Sequence, residues 1–299
     1  MRHLKKTLQT AALLAILSLT GLYSTAQTST KPHPHVEKEW ILDFEPFRIA
    51  GNLYYVGTYE LGCYLITTPQ GNILINTGTI ESVPLIRSHI KKLGFNIADT
   101  KILLTNQAHY DHVGGMAEIK KSSKAQMMVD ASDAPVLADG GSSDFAFGGK
   151  GPMFVPVKAD RLLHDHDTVQ LGGMQIIVLH HPGHTKGSCS FLFDVKDDQR
   201  SYRVLIANMP TIVIDANKLS GMPAYPDVAK DYAYTFKELP KLQFDLWLGP
   251  HAGQFDLHQK HHPGDTYHPE AFMDRKGYDT AVNHLQKDYL KKLNPNAVN

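Results

Sequence analysis

The chain has 299 residues, 42% of them hydrophobic and 20% charged, with 30 basic against 30 acidic side chains. That length allows one large domain or two small ones with a full core, and the balanced charge excludes a basic surface built to hold nucleic acid. Two cysteines exclude a disulfide scaffold or a cysteine-built zinc finger, whereas 17 histidines stand out.

Residues 1–26 read as a secretory signal. Arg2, Lys5 and Lys6 precede an apolar run from Ala11 to Leu22, and Ser24-Thr25-Ala26 supplies small residues for cleavage. An N-terminal anchor helix is the competing reading, but the run is short for a membrane span. Cleavage after Ala26 takes away those three basic residues and leaves a net charge of −3 on a single domain, 27–299, in the periplasm or outside the cell. Cys63 and Cys189 each lie in an apolar run and are expected as two separately buried thiols.

Residues 27–45 are polar and are expected to wrap the surface. From Phe47 the pattern alternates, and Gln70-Gly71-Asn72 separates GCYLITT from NILINTG, which predicts a hairpin. Residues 81–93 carry Leu85, Ile86, Ile90 and Leu93 at helical spacing, closed by Gly94. The strand KILLTN follows, then a helix at 114–122, the strand QMMVD and a long Gly/Phe/Pro-rich loop at 139–160. Further strands are expected at DTVQLGG, MQIIVLHH, SCSFLFD, YRVLIAN and DLWLGPH, with helices at 226–239 and 269–292. Strands with interspersed helices and early hairpins give a layered α/β or α+β fold.

Ligand-type residues gather after the strands. Gln107-Ala108-His109-Tyr110-Asp111-His112 follows KILLTN, His184 closes His180-His181-Pro182-Gly183-His184, and His251 closes Gly249-Pro250-His251. Imidazoles and a carboxylate at strand ends suit zinc, which takes N and O donors. Asp111 and His112 are adjacent, so a turn is needed for both to reach one ion. His164 and His166 copy the H-x-H spacing but sit in a turn, and are expected in solvent. His258, His261, His262 and His268 are expected in a polar loop. Phe145, Phe147 and Phe154 could floor an apolar substrate site or fold the long loop on itself.

H-x-D-H after one strand, P-G-H-T after a second and a lone His after a late strand resemble the metallo-β-lactamase superfamily. FRIAGNLYYVGTYELGCYLITTPQGNILINTG, DFAFGGKGPMFVPVKADRLL and HPGHTKGSCSF are most similar to its subclass B3. The resemblance implies a four-layer αββα sandwich with the site along one edge. It implies one zinc site of Gln107, His109 and His184, and a second of Asp111, His112 and His251. The implied activity is a zinc β-lactamase: metal-bound hydroxide opens the ring amide of penicillins, cephalosporins and carbapenems without a covalent intermediate. Asp111 would also orient the hydroxide, and the Thr211 hydroxyl would meet a substrate carboxylate. The partner is a small-molecule β-lactam, with no nucleic acid, no membrane anchor and a monomeric chain.

The chain departs from the family pattern in three places. Gln107 stands where most B3 members have His; a neutral amide oxygen is a weaker donor, so this site should hold zinc less tightly, and one or two ions are expected. Asn76 stands where the family usually has Asp. Residues 206–211, IANMPT, lack the bridging Asp of superfamily esterases and lactonases, and Met209 replaces a Ser. Two alternatives remain at this point: a hydrolase of another ester or lactone, and a zinc-binding relative without catalysis.

Overall fold

The structure, a computed structural model, describes residues 36–219 and 221–294. The signal read at 1–26 lies outside them. β1 (Phe47–Ala50), β2 (Leu53–Tyr55), β3 (Tyr64–Thr68), β4 (Gly71–Ile75), β5 (Thr100–Leu104), β6 (Gln126–Asp130) and β7 (Arg161–Leu163) stand in chain order in one sheet. A second sheet has the order β12 (Leu246–Leu248), β11 (Ser201–Ile206), β10 (Cys189–Lys196), β9 (Met174–His180), β8 (Thr168–Leu171).

The sequence period explains the layering. Along β3 and β4, Tyr64, Ile66, Ile73 and Ile75 join the core between the sheets, while Leu65 and Leu74 join a second core on the opposite face. Successive strand side chains point to opposite faces, so both faces of this sheet are buried. Phe191, Phe193 and Val204 of the second sheet complete the inner core. Helix Val83–Lys92 covers the first sheet with Val83, Ile86 and Ile90, and helix Met116–Ser123 adds Met116 and Ile119. Helices Val228–Glu238 and Arg275–Leu293 cover the second sheet, where Tyr278 packs edge-on against Trp247 at 5.3 Å. The result is the expected αββα sandwich. Each fully buried Leu or Ile in it contributes about 2 kcal/mol.

Strand direction then fixes where the loops go. β4, β5 and β6 run parallel, β11 pairs parallel with β12, and β9 lies antiparallel to β10, which is antiparallel to β11. The loops after β5, β9, β11 and β12 therefore leave the strand ends that carry Gln107–His112, His184, Thr211 and His251. A tie between the sheets holds the last of these. Gly62 N–H donates to Pro250 O at 2.8 Å, Tyr64 Oη donates to Gly249 O at 2.5 Å, and Leu61 bridges His251. A Cβ at Gly62 would come within 2.6 Å of Gly249 O, so only glycine permits this approach.

Several expectations need adjustment. Helix 269–292 is a 3-10 turn, Pro269–Phe272, followed by Arg275–Leu293, which starts where the Asp274 side chain accepts Gly277 N–H. β7 was not anticipated, because three residues on a sheet edge carry no readable period. The histidine-rich stretch is not wholly a polar loop: His258 stacks on Tyr59 at 3.8 Å and His261 on Phe47 at 3.6 Å. Residues 36–45 do more than wrap the surface, since Phe44 is buried. Cys63 and Cys189 are free and buried, as expected. Among the described residues no helix is long and apolar enough to cross a membrane.

Candidate metal centre

The loop after β5 turns at once into a short helix, Tyr110–Val113, with His109 at its N-cap. This is the turn that lets Asp111 and His112 face one point. Thr77 fixes it: its N–H donates to His112 O at 2.8 Å and its hydroxyl to the same oxygen at 3.2 Å. Thr105 fixes the other end, donating to Gln107 O at 2.7 Å.

Five of the six expected ligands fall into two groups by spacing, Asp111 with His112 and His251, and His109 with His184, and Gln107 lies two residues before His109. Asp111, His112 and His251 each offer a ligand atom, and these atoms lie within 4.8 Å of one another. Asp111 Oδ2 is 3.1 Å from His112 Nε2 and 3.3 Å from His251 Nε2. In the second group His109 Nδ1 is 3.1 Å from His184 Nε2. Two donors on one tetrahedral zinc stand about 3.3 Å apart, so both spacings fit. Buried polar atoms normally have partners. Yet Gln107 Oε1 and His112 Nδ1 are buried with no hydrogen bond among the described residues. Buried lone pairs held free in this way fit a cation. The donor set of imidazole, carboxylate and amide oxygen suits zinc.

The surroundings tune each donor. Thr211 O accepts His184 Nδ1–H at 2.7 Å, leaving Nε2 with its lone pair turned to His109. Tyr232 Oη holds the same carbonyl at 2.9 Å. The Thr211 hydroxyl, expected to meet substrate, sits 3.1 Å from His184 Nδ1 and braces that ring. Burial, helped by the neighbouring His109, pushes His184 down to about 3, so its imidazole is neutral. Burial likewise lowers His112. Asp111 is held well below the usual carboxylate range: burial opposes ionisation, but His112 and His251 outweigh it. Burial pulls His251 down as well, but hydrogen bonds to Asp111 and Glu60 take it up to about 9. A metal binding there must displace a proton.

The sequence did not reveal three neighbours of the site. Trp40 packs 5.7 Å from Tyr110 and 6.3 Å from His251, forming a roof over this edge. Glu60 Oε1 lies 3.5 Å from His251 Nδ1. Asp144 Oδ2 lies 3.1 Å from His109 Nε2, and its Oδ1 accepts Ala146 and Phe147 N–H at 2.7 and 2.9 Å. These contacts join residues distant in the chain, so no spacing rule could find them. The long loop divides its aromatics. Phe154 is core, Phe145 packs on Tyr225, and Phe147 stands 44% exposed with its ring 5.1 Å from His109. Other histidines stay outside the site: His180 pairs with Asp130 at 2.9 Å, His181 Nδ1 meets Ser190 Oγ at 2.7 Å, and His164 and His166 are solvent-exposed as expected. Met209 is buried in the inner core.

Residues 63–198 match the metallo-beta-lactamase superfamily domain. A solved beta-lactamase from Chitinophaga pinensis is 62% identical, covering 87% of this chain and 97% of its own, with a TM-score of 0.85. The class B3 di-zinc metallo-beta-lactamase LRA-12 from an Alaskan soil metagenome is also 62% identical, covering 88% and 100%, with a TM-score of 0.86. The metallo-beta-lactamase GOB-18 from Elizabethkingia meningoseptica is 52% identical over 89% and 98%, with a TM-score of 0.86. Among curated proteins, a hydroxyacylglutathione hydrolase from Rhodopseudomonas palustris is 32% identical over 131 residues, 44% of this chain and 42% of that protein. The chain thus matches less than half the length of that relative.

Proposed function

The chain belongs to the metallo-β-lactamase superfamily alongside its class B3 members, and on that premise we propose that it is a zinc-dependent β-lactamase acting on penicillins, cephalosporins and carbapenems. The observation that carries this reading is the Asp111–His112–His251 cluster with the His109–His184 pair, the unpartnered Gln107 Oε1 being in the same loop, in a chain 62% identical to a class B3 enzyme. Asp111, His112 and His251 would hold one zinc, and Gln107, His109 and His184 a second, weaker one. Zinc there supplies a water acidified toward neutral pH and a Lewis acid for a carbonyl oxygen. The protein's own part is to hold and orient. Asp111, kept ionised, aligns the attacking water through a carboxylate oxygen rather than storing its proton. His184 stays neutral and oriented by Thr211 O. Trp40, Tyr110 and Phe147 set aromatic rings around this edge. No side-chain nucleophile is required. The basic start and apolar run of residues 1–26 support export to the periplasm.

The curated relative makes thioester hydrolysis the reading to exclude. Segment 206–211 offers no carboxylate, and Met209 turns into the core there. Side-by-side assays of the zinc-loaded protein on a carbapenem and on a glutathione thioester test this. We expect kcat/KM for the carbapenem to exceed that for the thioester at least about 100-fold, the discrimination that one missing site group can produce. A preference for the thioester would overturn the proposal.

A further inference from the structure

The segment after β6 carries a carboxylate that the scheme above does not use. Asp133 is 1% exposed. Its Oδ2 accepts Ala108 N–H at 2.9 Å and the Thr185 hydroxyl at 2.7 Å, and its Oδ1 accepts Gly187 N–H at 2.7 Å. Ala108 lies between Gln107 and His109, and Thr185 follows His184. One side chain therefore ties together the two loops that supply all three donors of the weaker site. The approach is tight: a Cβ at Gly187 would come within 2.5 Å of Asp133 N and 2.8 Å of Asp133 Cβ. Among the described residues no donor to Asp133 flanks His112 or His251, and the other site has separate supports in Thr77, Gly62 and Glu60.

We propose that Asp133 is a positioning residue for the Gln107–His109–His184 site, setting the distance between its two loops so that a weak amide donor can share an ion with two imidazoles. The inference rests on the reading of Gln107 as a ligand. A carboxylate suits the task because it is acceptor-only and can meet three donors at once. An asparagine has one acceptor oxygen, and its NH2 would confront an N–H or O–H. Groups that orient metal ligands are typically worth 10–100-fold in metal affinity.

The test is a zinc titration of the metal-free full chain against a chromophoric chelator, for wild type, Asp133→Asn and the milder Thr185→Val. Wild type should take up zinc in two steps. In Asp133→Asn the weaker step should lose about 10-fold or more while the tighter step keeps its affinity; Thr185→Val should shift the same step in the same direction by less. If Asp133→Asn does not fold, Thr185→Val decides. Equal weakening of both steps, or an unmoved weaker step, would overturn the proposal. A single step in wild type would instead remove the Gln107 site itself, and the proposal with it, before any variant is compared.

Discussion

Asp111→Asn is expected to lower kcat/KM on a β-lactam by about 10²–10⁴-fold with zinc in excess. In the proposed site Asp111 does two things at once. Its Oδ2 stands 3.1 Å from His112 Nε2 and 3.3 Å from His251 Nε2, the spacing that the proposed shared zinc would need. It is also the carboxylate held ionised at the centre of the tighter group. Asparagine keeps the shape but loses the charge and one acceptor oxygen, so metal is held less well and the attacking water is less well aligned. Steady-state kinetics at rising zinc separate the two effects. Excess zinc should refill the site but leave turnover low. Full recovery of the wild-type rate would reduce Asp111 to a ligand only, and an unchanged rate at all zinc levels would remove it from the site.

Asn76→Asp, the change toward the residue common in the family, is expected to destabilise this chain by about 3 kcal/mol. Asn76 is wholly buried with φ 61°, a left-handed conformation that asparagine tolerates. All its polar capacity is used. Nδ2 donates to Gly62 O at 3.2 Å and to Asn106 Oδ1 at 3.0 Å; Oδ1 accepts Asn106 N–H at 3.1 Å and lies 3.1 Å from the Thr105 hydroxyl, which shares its one proton with the nearer Gln107 O. Asn106 cannot simply turn its amide over, because its Nδ2 donates to Cys189 O at 2.9 Å. An aspartate would set a buried carboxylate oxygen against two carbonyl oxygens. Denaturant unfolding of the two proteins without metal measures the difference, and equal stabilities would show that the amide pair is not matched in this way. The departure at Asn76 is thus an amide fitted to the Asn106 amide. Metal-loop support survives through hydrogen bonds to Thr105 and Asn106 rather than through charge.

What could be read from the sequence was what local rules govern. The β3–β4 hairpin follows from alternation around a polar turn, and Val83–Lys92 from apolar spacing closed by a glycine. The candidate donor residues stood out because each follows an apolar strand; that β5 of one sheet and β9 and β12 of the other bring their ends to a common edge was not readable before the sheets were stacked. Gln107 stood out by its place in the motif, since an amide among imidazoles has no local reason. Contacts across the chain were not legible. Asp133 reaches Thr185 and Gly187, Trp40 reaches His251, and His261 reaches Phe47; each contact exists only once the sheets have stacked. Thr211 was placed by motif, and the structure adds that its carbonyl and hydroxyl both lie against His184.

The most direct measurement is the ultraviolet absorbance of a carbapenem mixed with the protein beginning after Ala26, before chelation, after it, and after zinc is restored. Loss of absorbance that stops with the chelator and returns with zinc is the predicted result. No ring opening, even with zinc in excess, would contradict the assignment.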